Sequence, residues 1–313
     1  MNFLHRGLLS LGSVAAMATI GSAQLFFENF DVDPTANWTV NNGPTDGHAD
    51  FHFDYSTLGI PSAPGAGGTT RGLRMMANLT NGIFGGLSVS PTGQSFTGDY
   101  RLSAQVWMNF LGPAPTGGNG TTQVGGLGIG TNGTTAHWPG GNASAVYFMT
   151  TTDGNSSADW RAYSSAAPTS YADGSPVYFA TTRNNSNPYY SDYFAGGTPP
   201  AAQTALYPSQ TGTANNGTIA FGWHEMIVEK VGDTVTWSVS GLDIAQIDLT
   251  TVTLGGSNIL ITYSDTNATS STSSNSFLTN MIVDNVKVDV VPEPASMAAL
   301  ALGVGVLLRR RKK

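Results

Sequence analysis

The chain has 313 residues and a formal net charge of −7, with 40% hydrophobic and 10% aromatic residues, enough apolar material for a core and too much for a disordered chain. Arg6 and Arg309 to Lys313 hold six of the 13 basic residues, so residues 24–291 carry seven Lys and Arg against 19 Asp and Glu, a balance of −12 that disfavours nucleic acid and anionic lipid as partners of this region. Cysteine is absent, which excludes disulfides, thiol catalysis, thiolate zinc sites and iron–sulfur clusters.

Residues 1–23 give a basic start, an apolar run from Gly7 to Ile20 and a small-residue close, Gly21-Ser22-Ala23. That order predicts a secretory signal peptide with a helical apolar segment, cut between Ala23 and Gln24. From 24 to 291 no window sustains helical spacing, while two-residue alternation recurs between Gly, Pro, Asn and Asp. Strands are expected at Leu25 to Phe30, Ala49 to Tyr55, Leu73 to Leu79, Gly86 to Ser90 and Tyr100 to Phe110, then at Gln123 to Gly130, Ala145 to Thr151, Asp159 to Ser164 and Val177 to Ala180. A hairpin follows, His224 to Val231 joined to Thr234 to Ser240 through Gly232-Asp233, and the series closes with Asn258 to Tyr263 and Met281 to Val290. Long loops are expected at Ser62 to Thr70, Gly112 to Thr122 and Asn184 to Thr218, with a Ser/Thr/Asn connector at Ser264 to Ser276. This predicts one all-β domain at 24–291, a β-sandwich of jelly-roll type.

Several segments along that series carry candidate chemistry. Asp31, Asp33 and Asn37, and again Asp153, Asn155 and Asp159, form oxygen-rich turns able to donate to Ca²⁺, or plain Asx-turns. Asp46, His48, Asp50, His52 and Asp54 fall on one face of a strand, with Ala49, Phe51, Phe53 and Tyr55 on the other. Imidazole and carboxylate so mixed suit a divalent cation or an acid–base pair. Side chains two apart on a strand stand about 6.5 to 7 Å apart, however, so a polar surface over an aromatic one is the simpler reading. Trp107, Trp138, Trp160, Tyr189, Tyr190 and Tyr193 are candidate platforms for sugar rings. Trp107 stands out, because alternation puts it opposite Leu102, Ala104, Val106 and Met108. Glu225 and Glu229 share a strand face about 13 Å apart, too far for a retaining glycosidase pair at about 5 to 5.5 Å.

The chain ends with Val291-Pro292-Glu293-Pro294, an apolar stretch from Ala295 to Leu308 broken by Ser296, and Arg309-Arg310-Arg311-Lys312-Lys313. The 14 residues of the stretch, as a helix, span about 21 Å, short of a ~30 Å hydrocarbon core, and the basic tail belongs on the cytoplasmic side. Residues 292–313 resemble the PEP-CTERM sorting signal of Gram-negative bacteria, also described as an ice-binding protein C-terminal domain. The resemblance implies export, transient anchoring in the inner membrane by the apolar helix, and processing by an exosortase-type protease near Pro292, Glu293 and Pro294, with Arg309, Arg310 and Arg311 as the tail. The cell surface or the exopolysaccharide matrix is the destination it implies.

The body resembles concanavalin-like jelly rolls through Phe26-Phe27-Glu28-Asn29-Phe30-Asp31 with Trp38, the hairpin around Trp223 and Trp237, and Ile282-Val283-Asp284-Asn285-Val286-Lys287-Val288. That resemblance implies pairing of the first and last strands. Laminarinase-like members carry catalytic glutamates at alternate strand positions; here Asp50, His52 and Asp54 hold the comparable spacing without a glutamate. The expectation is a non-catalytic structural or glycan-binding surface protein with extracellular polysaccharide as partner. A polysaccharide hydrolase is the alternative, as is an ice-binding face, for which Thr250-Thr251-Val252-Thr253 is too short. No cofactor beyond Ca²⁺ suggests itself.

Overall fold

The computed structural model describes residues 23–43, 47–77, 79–80, 82–112, 123–141, 144–152, 156–266 and 277–292. The expected signal and sorting helices, together with Asp46, Asp153 and Asn155, lie outside them.

Alternation in Tyr100–Asn109 (β6) sets the inside of the larger sheet: Leu102, Ala104, Val106 and Met108 are buried against the other layer, while Arg101, Ser103, Gln105 and Trp107 point outward. β6 is flanked by Trp223–Val231 (β10) and Asn280–Val290 (β14), in a register that puts Trp107 opposite Trp223 and Ile282. Beyond β10 come Thr234–Val239 (β11) and Leu242–Asp248 (β12); beyond β14 come Arg71–Met76 (β4) and His48–Asp54 (β3). Gln24–Glu28 (β1) also pairs with β14, with Phe26 opposite Val288, so the first and last strands meet as expected. The second sheet orders Trp38–Asn42 (β2), Gly85–Pro91 (β5), Asn258–Asp265 (β13), Gln123–Thr131 (β7), Val146–Thr151 (β8) and Trp160–Tyr163 (β9). All named pairings are antiparallel, and the two sheets enclose one main core.

Three expectations need correction. β2 and β12 were not expected as strands. A bulge at Trp237/Ser238 leaves Ile244 and Ala245 buried side by side, which erases the alternation of β12. Val177 to Ala180 is not a strand: Tyr178 makes a single bridge to Ala245 within a turn. The stretch 184–218 is compact, with short helices Pro188–Ser191 (α1) and Ala201–Leu206 (α2). Gly59 lets α2 approach, since its φ is +68° and a Cβ there would fall on the backbone of Gln203.

Glycines at 125, 126, 128 and 130 are strand residues, and a Cβ on Gly126 would run into the carbonyl oxygen of Phe148 in β8. Gly126→Ala is therefore expected to part β7 from β8 and lower stability by about 2 kcal/mol, read as a drop in the urea midpoint at unchanged m-value.

Candidate functional site

The polar residues of β3 are spent on local structure. Asp54 accepts from Ser56 N at 3.1 Å, Ser56 Oγ at 2.6 Å and Thr70 Oγ1 at 2.9 Å, capping the 3-10 turn Tyr55–Leu58. The Ser56 hydroxyl is the main reason its carboxyl is held below the usual range. His52 donates from Nδ1 to Phe30 O at 2.9 Å, and its N–H bonds Asp50 Oδ1 at 3.1 Å. A bulge between Asp50 and Phe53 breaks the alternation, and Arg74 on β4 lies 3.7 Å over the Phe53 ring. His48 is exposed at the strand start. Among the described residues no group of three or more His, Cys, Asp or Glu is placed to hold a metal ion. In the first oxygen-rich turn Asp33 accepts from Thr35 N and Oγ1; Asp159 accepts from Thr151 Oγ1 and Asn185 N, and burial raises its pKa.

The outer face around Trp107 is a covered aromatic layer, which corrects the expectation of a free ring there. Trp107 is 2% exposed, donates Nε1–H to Asn109 Oδ1 and packs edge-on against Trp223, which in turn meets Tyr55. Gln203 of α2 seals the layer by donating to both Leu58 O and Asn109 Oδ1. Trp138 is buried beside Phe84, and Tyr190 is buried against Trp160, so neither can stack on a ligand. Tyr189 is half-buried, with its hydroxyl donating to Asp243 O at 2.8 Å.

An open pocket of about 410 Å³ lies where α1's loop meets the β11–β12 turn, lined by Tyr193, Phe194, Gly196, Gly197, His224 and Ser240. The Tyr193 ring is 49% exposed, and its hydroxyl donates to Ser240 O at 2.6 Å, which fixes its orientation. His224 Nδ1 lies 2.9 Å from Ser240 Oγ, and its Nε2 makes no hydrogen bond among the described residues. Burial pushes the imidazole pKa down to about 4, so the ring is neutral at ordinary pH. Phe221 (φ +64°) and Ser240 (φ +48°) adopt left-handed backbone at this pocket, a costly conformation for side chains of this kind. The sequence reading named Tyr193 but missed His224, because the pocket joins residues about thirty apart in the chain.

A second groove, of about 520 Å³, occupies the other end of the outer face of the larger sheet, between Arg101, Ser103, Glu225, Glu229, Lys287 and Asp289. Higher on that face Asp284 is wholly buried and accepts from Tyr55 Oη at 3.0 Å and Asn285 N at 2.7 Å. Loss of solvent outweighs those bonds and raises its pKa to about 6.

Comparison with known proteins bears on the two parts of the chain separately. Residues 290–312 match the PEP-CTERM protein-sorting motif. The motif implies export, exosortase processing and sorting to the cell surface; Pro292 is described, whereas Glu293, Pro294, Arg309, Arg310 and Arg311 lie outside the described residues. The body is similar in fold to lectin and glucanase sandwiches. An endo-1,3-β-glucanase from Streptomyces sioyaensis aligns at 14% identity and TM-score 0.44, over 89% of this chain and 100% of that one. The exoplasmic/lumenal domain of VIP36, in a Ca²⁺/mannose-bound form, aligns at 9% and 0.42, over 82% and 84%. A Bacillus subtilis protein with a galectin-like fold aligns at 10% and 0.38, over 86% and 96%. Among curated proteins, none matches the sequence.

Asp284 sets a pH dependence of stability. Its folded pKa of about 6 lies above the 3.8 of the unfolded chain, so the folded state holds the extra proton between those values. The stabilisation is full below about pH 4 and lost as pH rises through 6, a span of about 3 kcal/mol. Asp284→Asn is expected to flatten this slope in urea titrations at pH 4 to 7.

Proposed function

We propose that the protein is a non-catalytic component of the bacterial surface or exopolysaccharide matrix that binds a neutral stretch of polysaccharide in the Tyr193–His224 pocket. The observation that carries this reading is the pairing of an exposed, orientationally fixed aromatic ring with an uncharged imidazole whose Nε2 is unspent. A ring face accepts the apolar face of a sugar, and the neighbouring nitrogen exchanges a hydrogen bond with a hydroxyl. The acidic body, at −12, repels polyanions, which favours neutral sugars over uronic acids. Tyr189, half-exposed beside the same turn, extends the surface for a second sugar.

Residues 24–291, mixed with the host's exopolysaccharide with and without calcium, test this reading. Retention without release of reducing ends is expected, weakened about tenfold by Tyr193→Ala and unchanged between pH 5.5 and 8, since His224 stays neutral throughout. Trp107→Ala should lower thermal stability instead, because the ring is core. Reducing ends released by the wild type would replace binding by hydrolysis.

A further inference from the structure

We propose that the groove around Arg101 is the surface on which the processing protease docks when it acts on the sorting motif. The inference rests on the reading of residues 290–312 as an exosortase-processed signal. The motif begins at Val290, the last residue of β14, so no spacer separates the folded body from the segment to be processed. Val290 N–H donates to Ala23 O at 2.8 Å and Val291 N–H to Asp99 O at 3.1 Å, which pins the chain up to the residue before Pro292. At no more than about 3.5 Å per residue, Pro294 lies within about 10 Å of Val291, roughly the width of one helix. A protease working at Pro292 to Pro294 therefore touches the body.

The surface it meets is the groove of about 520 Å³ whose floor includes Val290, Val291 and Pro292. Arg101 lies between Glu229 and Asp289 in register, yet its guanidinium makes no ion pair or hydrogen bond among the described residues. Asp289 Oδ2 is held by Lys287 Nζ at 2.8 Å, its Oδ1 makes no hydrogen bond among the described residues, and Glu229 and Glu225 also line the groove. An unspent guanidinium, with its fixed fork of donors, is matched to a carboxylate on the docking partner. The expected signal cleavage point, Ala23–Gln24, belongs to the same edge, with Gln24 opposite Asp289, so the exported precursor turns this edge toward the membrane at both ends.

The test is pulse–chase processing of the full chain in a cell that carries an exosortase, scored by loss of the tail from the intact mass. Arg101→Glu is expected to slow conversion tenfold or more, with a small loss of thermal stability from its new neighbours Glu229 and Asp289, and Arg101→Gln to slow it less, with export of both variants and the thermal stability of Arg101→Gln as in the wild type. Eight Gly and Ser residues inserted between Val291 and Pro292 should make conversion indifferent to Arg101→Glu, because the motif can then be reached without the body. Conversion of Arg101→Glu at the wild-type rate overturns the proposal. So does faster conversion of the linker form than of the wild type, which would make the body an obstruction. A wild-type chain that keeps its tail in the presence of an active exosortase would instead remove the sorting reading itself.

Discussion

Trp160 and Trp237 hold the two sheets and the 184–218 connection in one arrangement. Trp237 comes from β11 of the larger sheet and stacks on Phe148 of β8 at 5.3 Å, while Trp160 of β9 meets Trp237 at 5.5 Å. Tyr190 and Phe194 also stack on Trp160, and its Nε1–H donates to Gly217 O. Large apolar rings, removed from water together, oppose the entropy cost of ordering a 35-residue connection that has little regular structure. Tyr193 follows from this packing: its neighbour Phe194 is drawn into the core, so Tyr193 projects outward over the β11–β12 turn.

The same burial divides the outer face of the larger sheet. Around Trp107 and Trp223 the face is closed by the Tyr55–Leu58 turn and α2, with buried Gln203 and Gln210 satisfying otherwise orphaned backbone carbonyls. Toward Arg101 nothing among the described elements lies over the sheet, and the face stays open and charged. The described ends of the chain, near Gln24 and Asp289, lie at the open end, and the aromatic pocket lies at the turn of β11 and β12. The difference between the two ends of the sandwich follows from where one long connection folds.

Strand identity was legible wherever one face is buried without interruption. β6 and β11 alternate cleanly because their inward positions are all apolar, and β14 was found although Asn285, at φ +51°, and a bulge break its middle. β12 was illegible because its own extra residue, Ile244, opposite the Trp237/Ser238 step, sets two buried residues in succession. The alternation that placed Trp107 on the outward side was right. Its exposure was not, since exposure depends on a loop that begins some eighty residues later. The polar strand at Asp50, His52 and Asp54 stood out by composition, yet its side chains serve turns and neighbouring carbonyls.

By itself the sequence determined the sandwich, the pairing of its first and last strands implied by resemblance, and the sorting signal, because two-residue periodicity and a contiguous terminal motif are local properties of a chain. The tertiary structure decided which aromatics are core, that His224 and Ser240 share a pocket with Tyr193, and that Arg101 faces the base of the sorting motif. Those are contacts between residues 16 to nearly 200 positions apart, and no local pattern encodes which distant loop will cover a given side chain.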